Sequence, residues 1–251
     1  MILASDYDVT LTQKKGKILQ SDIDAIANFR ANGHKFGICS GRSISNIEMK
    51  MNEANISVDF MVGNNGAIAV NGEGKVLVCQ TFSQLLCHQL AQYIAKTCLC
   101  YAVCDGYHYS FSKFGKGLMG RYLNPSVKTL AQMIDSGNVV SFIIYIIKPK
   151  YVKTFQQDIQ TLFPVSAYRN TFSLDIMPND IDKAKGCAVI EAYFKEKLYC
   201  IGDGDNDLPM LKAFESFAVE RGSDMAKSSA NHVVDHVGDA INYLTENNCV
   251  L

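Results

Sequence analysis

The sequence has no apolar run near the roughly 18 residues that suggest a membrane span. Its longest strongly apolar stretch, Val139 to Ile147, has the length of a buried strand. It also lacks an excess of charge of either sign. Lys and Arg number 24 against 25 Asp and Glu, a formal net charge of −1, so no basic footprint for nucleic acid is implied. The N-terminus meets an acidic residue, Asp6, with no basic region before it, which argues against a secretory signal. Nine cysteines are present, yet the patterns that give cysteine a structural job are missing. The number is odd and there is no Cys-x-x-Cys. The one cluster, Cys98, Cys100 and Cys104, fits no zinc spacing. They read as reduced, mostly buried thiols of a cytoplasmic protein. No repeat, low-complexity tract or linker is visible. What remains is an ordinary globular composition, 48% hydrophobic and 20% charged over 251 residues, enough for one large domain or two modest ones.

Strands alternate with helices over the first third. The pattern predicts strands at 2–5, 35–39 and 59–62, and helices after a capping box at Ser21–Asp24 and over 42–55, where Ile44, Ile47 and Met51 fall at helical spacing. A hairpin follows over 67–78, turning at Asn71-Gly72. The middle differs. Helix signals at 85–96 and 151–162 are interleaved with strand signals around Tyr107, Tyr109 and Phe111, at 139–147 and at 172–176. From about 182 the first pattern returns, with helices at 183–194, 207–214 and 239–245 and strands at 198–201 and 217–219. The predicted fold class is α/β: a doubly wound, Rossmann-like parallel-sheet core (1–80 and 181–251) interrupted by an inserted α+β unit (81–180).

Chemistry-bearing residues gather where strands end. Asp6-Tyr7-Asp8-Val9-Thr10 follows the first strand, at the carboxyl end where open α/β sheets bind ligands. If the strand continues, Asp6 and Asp8 point the same way, and two close carboxylates call for a cation or unequal protonation. An all-oxygen cluster suits Mg²⁺ or Ca²⁺. Gly202-Asp203-Gly204-Asp205-Asn206-Asp207 follows another apolar strand. It imitates the start of an EF-hand loop, but Leu208 and Phe214 stand where that loop needs Gly and Glu. Asp203 instead completes the site begun by Asp6, while Asp207 serves either as a helix cap or at the metal. Ser40-Gly41-Arg42 opens a helix, whose N-terminal amides and the Ser40 hydroxyl suit an anion. Lys183 and Lys185 open a later helix, where a cation opposes the dipole and needs an anionic partner or solvent. A hard cation, a carboxylate nucleophile, a phosphate-binding N-terminus and a lysine together are the parts of phosphoryl transfer.

In order and spacing these stretches resemble the haloacid dehalogenase-like superfamily, in its Cof-like phosphatase branch with a type II, subtype B cap. Asp6-x-Asp8-x-Thr10 looks like the first motif, Ser40-Gly41-Arg42 the second, Lys183-x-x-Gly186 the third and Gly202-Asp203-x-x-Asn206-Asp207 the fourth. Gly63-Asn64-Asn65-Gly66-Ala67 resembles the branch's Asn-Gly-Ala turn. The resemblance implies that Asp6 becomes an aspartyl-phosphate and that Asp8 is the acid and base, with a raised pKa. It implies that Lys183 neutralises charge on the phosphate and Asp6. Thr10 would position Asp8 or its loop, and Asn206 would reach the phosphate or Lys183. The implied phosphate-binding set is Thr10, Ser40, Gly41, Arg42 and Asn206. Mg²⁺ would lie among Asp6, the Asp8 carbonyl and Asp203, with Asp207 orienting or binding through water. Lys185 is the rival to Lys183; Gly186, the small residue expected three positions after the lysine, favours Lys183. The implied activity is Mg²⁺-dependent hydrolysis of a small phosphorylated metabolite, with no nucleic-acid or membrane partner. A phosphomutase, a catalytically idle sensor and a signalling receiver are the alternatives; the insertion and the Asp6-x-Asp8 spacing oppose the receiver. Two departures stand out: Ser43 where Pro is common, and Arg221-Gly222-Ser223 where Gly-Asn-Ala is common.

Other patterns carry less. Gly115-x-Gly117-x-x-Gly120 spells a dinucleotide fingerprint but runs into Asn124-Pro125 and reads as a cap loop. Lys113, Lys116 and Arg121 beside it would meet an anionic substrate if that loop faces the core. His232 and His236 flank two valines and read as packed or surface histidines. Tyr107, Tyr109 and Phe111 read as a packed strand face.

Overall fold

The computed structural model describes residues 1–13, 16–98, 100–119, 123–145, 151–170 and 173–247. In chain order its elements are β1 (Ile2–Ser5), α1 (Gln20–Ala31), β2 (Lys35–Cys39), α2 (Ile44–Glu53), β3 (Phe60–Gly63), β4 (Ile68–Asn71), β5 (Val76–Cys79), α3 (Gln84–Thr97), β6 (Tyr101–Cys104), β7 (Tyr109–Phe111), α4 (Lys113–Met119), α5 (Leu130–Asp135) and β8 (Ser141–Tyr145). They continue with α6 (Val152–Leu162), β9 (Val165–Arg169), β10 (Ser173–Pro178), α7 (Lys183–Phe194), β11 (Leu198–Gly202), α8 (Leu208–Ala213), β12 (Glu215–Val219), α9 (Asp224–Ser229), β13 (His232–Val234) and α10 (Val237–Asn247).

Two sheets organise the chain. The first has eight strands in the order β13-β12-β11-β1-β2-β3-β4-β5. It is parallel from β13 to β3 and antiparallel over β4 and β5. The buried strands read as apolar runs because helices cover both faces. One face packs Leu3, Phe36, Ile38 and Ile201 against Phe29, Ile47 and Ile241. The other packs Ile2, Ala4, Cys39 and Cys200 against Cys187, Ile190 and Met210. Six of the eight described cysteines are buried and all eight are free thiols, in line with their reading as small hydrophobes.

The second sheet is antiparallel, in the order β7-β6-β8-β10-β9. Its outer face packs on α3, α5 and α6 through Leu90, Ile94, Phe142 and Ile159. Its inner face, with Ala102, Cys104, Tyr109, Ile143 and Met177, closes on Ala67 of the first sheet's turn. This is the α/β core with a separate antiparallel cap that the sequence pattern predicts.

Several local expectations change. Leu19, not Ser21, precedes the first turn of α1, and no side chain caps it. Gln20 donates to Asp24 (2.8 Å), and Asp22 is drawn off to accept from the Gly238 amide (2.8 Å). The glycine-rich segment read as a loop forms α4, with Lys113 and Lys116 exposed; Gly120 and Arg121 lie outside the described residues. Tyr109 packs as expected and its hydroxyl accepts from the Ser43 amide (2.9 Å). His232 lies between Phe217 and Tyr243. Among the described residues, no helix is long and apolar enough to cross a membrane.

Candidate active site

Parallel pairing of β1 with β2 and β11 brings three strand ends together. Asp6, Ser40 and Asp203 each follow such an end directly. The Asp6 amide still pairs with the Ile201 carbonyl (2.9 Å), so Asp6 is an extension of the sheet.

At Asp6 the strand stops. Residues 7–11 make one irregular turn in which Val9 has φ +67°. That turn overturns the expectation that Asp6 and Asp8 share a direction. Asp6 is buried, while Asp8 is exposed and held by Arg42, whose Nε and Nη2 each donate to it at 2.7 Å. Thr10 is buried and donates to Asp203 Oδ1 (2.6 Å), not to Asp8.

Lys183 is completely buried at the first turn of α7. Its ammonium donates to Asp6 Oδ1 and to Asp207 Oδ1, 2.6 Å from each. Lys185 points away, half-exposed, and pairs with Asp180. The close approach of α7 depends on two glycines. A Cβ on Gly186 would stand 2.3 Å from Val62 Cγ1, and one on Gly66 (φ +101°) 1.9 Å from the Asp182 carbonyl oxygen. Gly186 is therefore small because a strand and a turn press on it.

Asp207 uses both carboxylate oxygens. Oδ1 faces Lys183 and Oδ2 accepts from the amides of Asp203 and Gly204, both 2.9 Å away. It orders the loop as a cap and neutralises the lysine at once. Ser40 is buried, and its hydroxyl accepts from the Arg42 amide (3.3 Å). The helix α2 behind it is capped by Ser43, which accepts from the Asn46 amide. Asn206 donates to Asn65 (3.2 Å) and not to Lys183.

The electrostatics follow from burial. Burial pushes the Asp6 carboxyl well up; Lys183 opposes this, and Asp207, Asp203 and Asp8 add to it. Burial likewise raises Asp203, helped by Asp207 and opposed by the Thr10 hydrogen bond. Burial would push the Lys183 ammonium down, but Asp207 and Asp6 outweigh it and hold it well above its ordinary value. Asp6, Asp203 and Asp207 each offer a carboxylate oxygen, all within 4.8 Å of one another. An oxygen-only donor set fits a hard divalent cation.

Nothing in the sequence points to Asp175, and Asn65 is marked there only as part of a turn. Asp175, buried on β10, accepts from Asn65 (3.2 Å), Asn170 (2.7 Å) and Ser173 (3.2 Å). Its Oδ2 would lie 3.1 Å from a Cβ on Gly41, so the cap places a carboxylate against the Ser40-Gly41-Arg42 turn. Asn65, at φ +50°, joins Asp175 to Asn206. Two consecutive asparagines before a glycine are the sequence signal for such a left-handed turn. Arg169 and Asp205 add a cap-to-core pair at 3.3 Å.

A family model for haloacid dehalogenase-like hydrolases matches residues 3–241. The chain belongs to that family. Its fold is similar to the subclass IIB sugar phosphatase BT4131, with a TM-score of 0.81 and 22% identity over 97% of this chain and 98% of that one. It is similar to the phosphatase BT1666 from Bacteroides thetaiotaomicron, with a TM-score of 0.81 and 23% identity over 98% and 94%. Curated relatives match over a shorter stretch. A protein of Mycoplasma pneumoniae, provisionally named a phosphatase, is 37% identical over 73 residues, 28% of this chain and 26% of the relative. The chain thus spans about a quarter of that relative's length. The family is one of hydrolases, and the cluster of Asp6, Asp203 and Asp207 is one that could hold a metal ion.

Proposed function

We propose that this chain is a Mg²⁺-dependent phosphatase of small phosphomonoesters, sugar phosphates or related metabolites, working in the cytoplasm. The observation that carries the reading is the buried Lys183 ammonium held between Asp6 and Asp207, 2.6 Å from each. A buried lysine shared by two acids beside an anion-binding turn is arranged for phosphoryl charge.

In this reading an Asp6 oxygen attacks phosphorus and the ester oxygen leaves. Asp8 protonates the leaving oxygen and then takes a proton from the water that hydrolyses the aspartyl-phosphate. Arg42 must release Asp8 for that, and an arriving phosphate beside Ser40, Gly41 and Arg42 supplies a competing anion for the guanidinium. Lys183 balances charge on Asp6 and the phosphoryl oxygens. Asp6, Asp203 and the Asp8 carbonyl would hold Mg²⁺, with Asp207 orienting their loop. When bound, the ion neutralises phosphoryl charge and lowers the cost of ionising Asp6. Asn206 positions phosphate, and Thr10 holds Asp203. The cap, closed on the core through Asn64 and Ser141 (2.9 Å), keeps bulk water from the intermediate.

The test is phosphate release from a panel of phosphorylated metabolites, with and without Mg²⁺, beside Asp6→Asn. Release that needs both the metal and Asp6 is expected. Isomerised sugar phosphate in place of free phosphate would make the protein a mutase. Release that survives Asp6→Asn would remove Asp6 as nucleophile.

A further inference from the structure

We propose that Arg221 is a positioning residue that fixes the turn carrying Asp8; its catalytic meaning rests on the phosphatase reading above. That turn holds a conformation its own sequence resists. Val9 is β-branched, left-handed at φ +67°, and 49% exposed, so neither its backbone preference nor packing favours the geometry. Thr12 supports the turn locally, its hydroxyl accepting from the Val9 amide at 3.1 Å, but the Val9 and Thr10 carbonyls are held from 212 and 211 residues away in sequence. Arg221 Nε donates to the Val9 carbonyl (2.6 Å), Nη2 donates to the Thr10 carbonyl, and Nη1 donates to the Asp235 carbonyl (2.7 Å). One planar guanidinium thus ties the Asp8 turn to the end of β13, a geometry lysine's single ammonium cannot reproduce.

The base from which Arg221 reaches is itself seated on the carboxylate loop. The Ser223 amide donates to the Asp203 carbonyl (2.8 Å), and the Ser223 hydroxyl caps α9 at Ala226. A Cβ on Gly222 would lie 3.0 Å from Asp203 Cα. Arg221-Gly222-Ser223 therefore locks to the Asp203 backbone on one side and to the Val9 and Thr10 carbonyls on the other. It sets the spacing between the acid–base residue and the acidic cluster. Here the chain departs from the Gly-Asn-Ala of the branch it resembles, and the arginine gives the departure a use. The Asp8 turn has two handles. Arg42 grips the side chain and must let go during turnover, whereas Arg221 grips only backbone and need never release.

The experiment compares wild type, Arg221→Ala and Arg221→Lys on an alkyl phosphate and on p-nitrophenyl phosphate, with Mg²⁺ present. Aryl oxide leaves without a proton, so loss of Asp8 placement harms the alkyl ester more. Arg221→Ala is expected to lose about 10–100-fold in kcat on the alkyl ester, part of the general acid–base contribution. KM should change little and the aryl ester should suffer less. Arg221→Lys should not recover the loss, while millimolar guanidinium, and not equal NaCl, should restore Arg221→Ala. Equal losses on both esters, or an unchanged kcat, would overturn the proposal. Amide hydrogen exchange of residues 7–13 decides the structural half without any turnover, so it stands even if wild type releases no phosphate. Protection should fall at least tenfold in Arg221→Ala, and unchanged protection would overturn the proposal.

Discussion

Arg42 holds Asp8 by both carboxylate oxygens, Nε and Nη2 each 2.7 Å away, and lies over the Tyr7 ring with its carbon 5.1 Å from the centroid. Its Nη1 is taken by Asn46 at 2.6 Å. The guanidinium therefore joins the Asp8 turn to the start of α2. As an exposed pair it stabilises the fold little, about 0–1 kcal/mol; its consequence is geometric. Because the guanidinium leaves Asp8 for the arriving phosphate during turnover, Arg42→Ala should lower kcat/KM by similar factors, about 10–100-fold, on an alkyl and an aryl phosphate, the worth of a hydrogen bond to a charged group. Steady-state kinetics on the two esters check this. A loss confined to the alkyl ester would mean that Arg42 serves Asp8 and not the phosphate.

Lys183 makes the opposite case, since its partners are buried. Removing one member of a buried charged set leaves the others uncompensated, at about 3–5 kcal/mol. Lys183→Met should lose about that much in urea unfolding and show no turnover. Mg²⁺ should stabilise the variant more than wild type, because the added cation then faces Asp6 and Asp207 with no ammonium between them. Equal metal stabilisation of both proteins would contradict a Lys183 ammonium that balances Asp6 and Asp207.

The core fold was legible because its signals are local. Apolar runs at 2–5 and 198–201, each followed within two residues by an acid, predict strands that end at a site, and β1 pairing with β11 puts them side by side. Contacts between distant segments were not legible. Nothing in an apolar strand at 173–178 marks Asp175 as the residue that meets Asn65. Nothing near Arg221 marks Val9 and Thr10 as its acceptors. Local rules also misled where tertiary contacts outweigh them. Glycines at 115 and 117 argued for a loop, yet both lie in α4; Gly115 answers to a tertiary contact instead, since a Cβ there would press to 2.7 Å on the Tyr101 carbonyl oxygen. Strand β9 was missed because α6 ends at Leu162, only three residues before it begins.

The acidic cluster predicts a metal-dependent stability. A ligand at 100 times its Kd adds about 2.7 kcal/mol, which moves the midpoint of a chain this size by about 5–10 °C. Mg²⁺ should raise the melting temperature of wild type, EDTA should reverse it, and Asp203→Asn should abolish the response. Asp203 is the member to change because Asp207 spends both its oxygens on Lys183 and two amides. A full Mg²⁺ shift in Asp203→Asn would place the ion elsewhere.

Asp175 gives a prediction with a definite pH window. Burial pushes its carboxyl up to about 6, against hydrogen bonds from Asn170, Asn65 and Ser173 that pull it down. The free carboxyl of an unfolded chain titrates near 3.9. Between these values the folded chain keeps a proton the unfolded chain has lost, so this group's contribution to stability falls as pH rises through the window. Above about pH 6 the full cost persists, on the order of 3 kcal/mol for about two units. Asp175→Asn removes the charge and keeps the geometry. Its amide oxygen accepts from Asn65 and Asn170, and its NH₂ turns to the Ser173 hydroxyl. The variant should therefore be more stable than wild type by up to about 3 kcal/mol at pH 7.5, with the gain vanishing near pH 4. Urea unfolding of both proteins at the two pH values measures the difference. A gain of the same size at both would mean that the ionised Asp175 costs the fold nothing and that the buried position owes its stability to shape alone.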